Sequence, residues 1–92
     1  SFLQHHHKSD MVLIDKHRQK GFGKDALSLL VKYSFNELHL HQLYSNILEA
    51  NVASVCLFKS VGFEKIGLKK QWRFYKGRYK NEYLFQLINH VL

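Results

Sequence analysis

Met11-Val12-Leu13-Ile14 is a short apolar run closed by Asp10 and Asp15, and such a run reads as a strand buried on both faces. After Gly23, residues Leu27, Leu30, Val31, Ser34 and Phe35 occupy the i, i+3, i+4, i+7 and i+8 positions of one helical face. An amphipathic helix over roughly 22–36 follows, with Ser34 the polar interruption. Lys24, Asp25, Ser28, Lys32 and Asn36 supply its solvent side. From Gln42 to Leu48, Leu43, Ser45 and Ile47 alternate with Tyr44, Asn46 and Leu48; both sets can be buried, which predicts a central strand. Asn51 is a good N-cap, Ser54, Leu57, Phe58 and Val61 form a stripe, and Gly62 offers a left-handed stop, so a second helix spans 52–61. Ile66, Leu68, Trp72 and Phe74, then Tyr83, Phe85 and Leu87, alternate with polar partners on either side of Lys76-Gly77. They predict two antiparallel strands joined by a basic loop, aromatics toward the core and bases toward water. The fold class is therefore α/β, with a mixed, mostly antiparallel sheet and two helices.

A chain of 92 residues makes one domain at most and buries only about 60–65 % of its unfolded surface. Hydrophobic residues at 46 % exclude disorder, and no apolar run is long enough for a membrane helix. The division expected is an N-terminal edge segment, 1–10, and one domain, 11–92; Ser1-Phe2-Leu3-Gln4 has the look of a cut edge. A formal charge of +7 should draw anions. The single cysteine, Cys56, precludes an internal disulfide or a thiolate metal cluster, which suits the cytoplasm. It is expected to pack beneath the second helix. His5-His6-His7, His17, His39 and His41 lack the spacing and companion ligands of a metal site, so none is expected.

Arg18-Gln19-Lys20-Gly21-Phe22-Gly23 lies between the first strand and the first helix. Two glycines let the backbone turn with no Cβ in the way, so that successive N–H groups converge on an anion at a helix N-terminus. Arg18, Lys20 and Lys24 add full charges. Alone the pair of glycines is a weak signal, since turns use it without any ligand. Ala26 stands where a dinucleotide fingerprint has its third glycine, and the Lys-Ser/Thr ending of a Walker loop is missing.

A second segment changes the balance. Asn51-Val52-Ala53-Ser54-Val55-Cys56-Leu57-Phe58-Lys59-Ser60-Val61-Gly62-Phe63 resembles the N-x-x-S-x-x-L-Y-x-x-x-G-F signature of GNAT acetyltransferases, particularly the group that modifies ribosomal-protein termini and polyamines. Arg18-x-x-Gly21-x-Gly23 resembles the same family's pyrophosphate loop, in the same order along the chain. The likeness runs from about Met11 to the end, including Tyr33 to Leu38 and the Trp72 strand, and the family's N-terminal elements have no counterpart.

The resemblance implies acetyl-CoA as co-substrate and a primary amine, on a small molecule or a peptide terminus, as acceptor. Backbone amides from Gln19 through Lys20, Gly21, Phe22 and Gly23 to Lys24 would hold the pyrophosphate, with Arg18 at the rim. Leu13 and Ile14 would pair with the pantetheine, and Asn51 would bond it while capping its helix. Phe58 takes the position of a tyrosine that protonates the departing thiolate, and phenylalanine has no proton to give. No base identifies itself; Asp10, Glu49 and Glu82 qualify by type, each read first as an ordinary surface carboxylate. Without the missing elements one sheet face would expose apolar surface. The expectation is therefore a fragment, a truncated product, or part of an assembly, as a homo-oligomer or with a second chain as cover. Two alternatives stand beside the enzyme: an inactive coenzyme-binding module, and a nucleic-acid-binding domain using residues 69–80, against which the inward-facing aromatics weigh.

Overall fold

The computed structural model describes residues 3–5, 11–14 and 23–90. Strands β1 (Leu3–His5) and β2 (Met11–Ile14), helix α1 (Lys24–Lys32), strand β3 (Gln42–Leu48), helix α2 (Val52–Val61), and strands β4 (Glu64–Tyr75) and β5 (Arg78–Ile88) follow in that order. They form one five-stranded sheet, β1-β2-β3-β5-β4. β2 and β3 are parallel, joined through α1; the other neighbours are antiparallel. The mixed sheet and both helices match the expectation. β1 pairs Leu3 with Ile14 and His5 with Val12, and a strand so short has no alternation by which to be read beforehand.

One core explains the arrangement. Leu27 of α1 and Phe58 of α2 are fully buried against Leu43 and Ile47 of β3 and Phe85 of β5, with Leu40 and Phe63 completing the cluster. Both helices therefore cover one face of the sheet. Each of these side chains contributes about 1.5–3 kcal/mol by leaving water.

α1 does not continue as an α-helix to residue 36. Tyr33–Glu37 is a π-helical turn, closed by Leu38 N–H donating to the Tyr33 carbonyl at 3.2 Å. Within this turn Ser34 is buried in the apolar stripe and donates its hydroxyl to the Leu30 carbonyl at 2.8 Å. An α-helical ladder would give that acceptor to the backbone N–H of residue 34, so the hydroxyl competes with the ladder. α2 is bounded as its sequence implies: the Ser54 N–H donates to Asn51 Oδ1 at 3.2 Å, and Gly62 ends it at φ 111°. Lys76 and Gly77 both take positive φ, 52° and 79°, and so make the tight turn that matches the twist of the β4–β5 hairpin.

Two further expectations fail. The aromatics of β4 do not face the core: Trp72 is 64 % and Phe74 63 % exposed, and Ile66 and Leu68 are also exposed. β4 is the outermost strand, no residue of it joins the core cluster among the described residues, and its register slips between Lys65 and Gly67 and between Lys69 and Arg73. Alternation separates two faces of a strand; it cannot say that a helix covers either. Cys56 is exposed, not beneath α2. At 100° per residue it stands off the Leu57–Phe58 stripe that meets the sheet.

Candidate functional site

The C-terminal ends of the two parallel strands define the site. The β2–β3 register runs from Met11↔Gln42 to Leu13↔Tyr44, whereas β3 continues against β5 as far as Leu48↔Glu82. Over residues 45–48, β3 thus has a strand on one side only among the described residues. Leu13 and Ile14 end β2 beside this opening, described by their backbone. Over 46–48 the β3 edge turned away from β5 lies beyond the β2 register, and an extended ligand with amides of its own could pair there.

α1 begins at the same end of the sheet. Gly23 is its N-cap at φ −88° and ψ 173°, with no side-chain cap bond, and Lys24 follows, exposed. A Cβ added at Gly23 would meet nothing within 4 Å among the described residues. Neither its dihedrals nor its packing therefore requires glycine. Asp10 and Arg18, Gln19, Lys20, Gly21 and Phe22 lie outside the described residues, as does His17.

β3 leads into α2 at Asn51. Its Oδ1 is engaged as the cap, and its side-chain amide group remains for a further partner. Phe58, about two turns beyond, is fully buried and meets Phe63 edge-on with centroids 4.9 Å apart. A cleft of about 350 Å³ lies beside Asn51, lined by Leu48, Ala50, Asn51, Tyr75, Lys76 and Lys80. It brings the β4–β5 turn against the start of α2. Sequence reasoning singled out Tyr75, Lys76 and Lys80 within the basic, aromatic stretch 69–80, but not their meeting with Asn51.

The two candidate carboxylates among the described residues, Glu49 and Glu82, are occupied. Glu82 is buried, contrary to its reading as a surface group: Lys69 Nζ approaches Oε1 and Arg73 Nη1 approaches Oε2, each at 3.3 Å. The same Lys69 ammonium donates to Asn46 Oδ1 at 2.7 Å. Strand pairing puts Lys69 opposite Glu82, a relation no local motif encodes. Glu49 is exposed and accepts from Asn81 Nδ2 at 3.1 Å and from the Tyr83 hydroxyl at 3.2 Å. Partial burial, together with the Glu49 charge and hydrogen bond, raises the Tyr83 phenol above its ordinary value near 10. No group of three or more His, Cys, Asp or Glu among the described residues could hold a metal ion. No described helix is long and apolar enough to cross a membrane.

The family model for the acetyltransferase (GNAT) domain matches residues 2–84, and the chain belongs to that family. It is 33 % identical over 72 residues to an uncharacterized N-acetyltransferase p20 of Bacillus licheniformis, covering 78 % of this chain and 40 % of that protein. It is 30 % identical over 71 residues to a spermidine N(1)-acetyltransferase of Vibrio cholerae, covering 77 % and 41 %. Among solved structures, a Vibrio cholerae spermidine N-acetyltransferase SpeG chimera superposes with a TM-score of 0.81 at 24 % identity, covering 94 % of this chain and 56 % of its own. An acetyltransferase of the GNAT family from Bacillus anthracis gives 0.79 at 20 %, covering 94 % and 55 %. The chain spans about two-fifths of the length of these curated relatives and just over half of these structures.

Proposed function

We propose that this chain is the coenzyme-binding part of an N-acetyltransferase that moves an acetyl group from acetyl-CoA to a primary amine of a small molecule or a peptide terminus. The observation that carries this reading is the end of the β2–β3 ladder at Leu13↔Tyr44 while β3 runs on to Leu48. In the proposed complex the pantetheine amides bond the β3 edge over 46–48, beside Leu13 and Ile14. The backbone of 19–24, with Arg18 at the rim, holds the pyrophosphate at the start of α1. That Gly23 has no structural need to be glycine supports this role, since a bare backbone lets an anion approach. Asn51 caps α2 and turns its free amide toward the pantetheine.

The reaction is direct transfer. A neutral amine nitrogen attacks the thioester carbonyl, backbone N–H groups bear the oxyanion, the C–N bond forms, the C–S bond breaks, and the thiolate leaves. Phe58 fills the core and donates no proton, so the thiolate takes one from water. Glu82, with each oxygen against a cation, and Glu49, bonded by Asn81 and Tyr83, are poorly disposed to remove the amine proton; water removes it. The exposed Cys56 thiol suits a reducing compartment, and we place the chain in the cytoplasm.

Calorimetric titration of the 92-residue chain with acetyl-CoA, with Gly21→Val as control, tests the reading. Binding that the variant loses supports it, and a folded chain that does not bind refutes it. Acetyl-CoA bound without acetylation of any amine would leave an inactive coenzyme module. One observation favours a second reading: exposed Trp72, Phe74 and Tyr79 among Lys70, Lys76, Arg78 and Lys80 form a basic aromatic surface of the kind that stacks nucleic-acid bases. Steeply salt-dependent binding of single-stranded oligonucleotide would support it, and no binding at low salt would exclude it. A second chain or a further copy laid over these side chains is the alternative use of that surface.

A further inference from the structure

We infer that the cleft between the β4–β5 turn and the start of α2 is an anion subsite that selects amine acceptors carrying a carboxylate. The inference rests on the acetyltransferase reading and adds the substrate class to it. Six residues line the cleft: Leu48, Ala50, Asn51, Tyr75, Lys76 and Lys80. Two are cations and none is a carboxylate.

The nearby acids do not neutralise them. Both oxygens of Glu82 are taken by Lys69 and Arg73, and both oxygens of Glu49 by Asn81 and Tyr83. Among the described residues neither Lys76 nor Lys80 makes an ion pair. Lys80 also stands directly across the strands from Arg73, and like charges in that position repel. Lys76 Nζ lies 5.4 Å from the centroid of the Tyr75 ring, which holds it beside the cleft. A concave surface with two uncompensated cations is stabilised by a bound anion and repels a polycation. Asn51 lies in the same lining, so an acceptor anchored here would present its amine at the start of α2, where the proposed pantetheine ends. Leu48, Ala50 and Tyr75 supply an apolar wall for the body of such an acceptor.

The test compares phenylalanine with phenylalaninamide, whose amide is uncharged where phenylalanine has its carboxylate, and with spermidine. Binding is read from backbone-amide NMR shifts at 48–51 and 75–80 of the full chain. Phenylalanine should bind about threefold to tenfold more tightly than the amide, as two partly solvated ion pairs allow, with spermidine weakest. In the Lys76→Gln, Lys80→Gln double variant, shown folded by an unchanged far-ultraviolet dichroism spectrum, that preference should vanish while amide binding persists. Equal binding of acid and amide, preferred binding of spermidine, or a preference that survives the double variant would overturn the inference. The acetyl-CoA titration stands apart: its failure with the carboxylate preference intact sinks the enzyme reading and leaves the anion site, and the converse sinks only the anion site.

Discussion

Replacing Gly23 with alanine separates what the fold needs from what the ligand needs. The N-cap at φ −88° is ordinary for any residue, and the added Cβ meets no atom of the described residues within 4 Å. Alanine caps a helix less well than glycine, a loss of up to about 1 kcal/mol. Against this, the unfolded chain loses freedom, a gain of about 0.4–1 kcal/mol. Stability should therefore change by less than about 0.5 kcal/mol, a shift of roughly 2–4 °C or less in Tm for a domain of this size. Binding should respond differently. If the pyrophosphate rests on amides at the start of α1, a methyl group there removes one charge-assisted hydrogen bond worth about 1.5–3 kcal/mol. Acetyl-CoA affinity should fall by roughly tenfold to a hundredfold. Calorimetric titration and thermal unfolding of the same two proteins measure both terms. An affinity within about twofold of the parent, at unchanged Tm, would refute a phosphate contact at residue 23. A Tm lowered by about 10 °C would refute the claim that the fold does not need this glycine.

Two further outcomes are expected. Glu82→Gln should destabilise the chain by about 1–3 kcal/mol, below the usual cost of breaking a buried pair because Lys69 and Arg73 keep 25 % and 40 % of their side-chain surface in water; urea unfolding with an unchanged slope measures it, and an unmoved midpoint would refute the role of the cluster. The Tyr83 phenol, raised by its partial burial and by Glu49, binds its proton more tightly folded than unfolded. Its contribution is complete below pH 10 and is lost as pH rises through the higher folded value. Ultraviolet titration of the chain against Tyr83→Phe should show ionisation above the ordinary value, and Glu49→Gln should bring it down.

The features legible in the sequence are those that local chemistry decides. Asn51 and Gly62 bound α2 through bonds to residues within one turn, and Lys76-Gly77 makes its hairpin from its own dihedrals. The i, i+3, i+4 spacing of Leu27, Leu30 and Val31 identified the buried side of α1, because helix period alone fixes it. Features set by distant partners stayed hidden. Trp72 and Phe74 alternate like core residues, yet their fate depends on which strands the helices cover. Of the candidate site, Asn51 and the glycine loop were legible as motifs, whereas the cleft that joins Asn51 to Lys76 and Lys80 arises from strand register, which no short motif records.

The register slips of β4 have a consequence for the chain at high concentration. Its paired stretches are Glu64–Lys65, Gly67–Lys69 and Arg73–Tyr75, with the direction of the edge altered between them and Gln71 at φ 48°. A strand from another molecule could zip along no one of these for more than three residues, and Lys65 precedes the first break while Lys69 and Arg73 flank the second. The outer rim of the sheet is thereby a poor template for fibril growth, even with tryptophan and phenylalanine exposed along it.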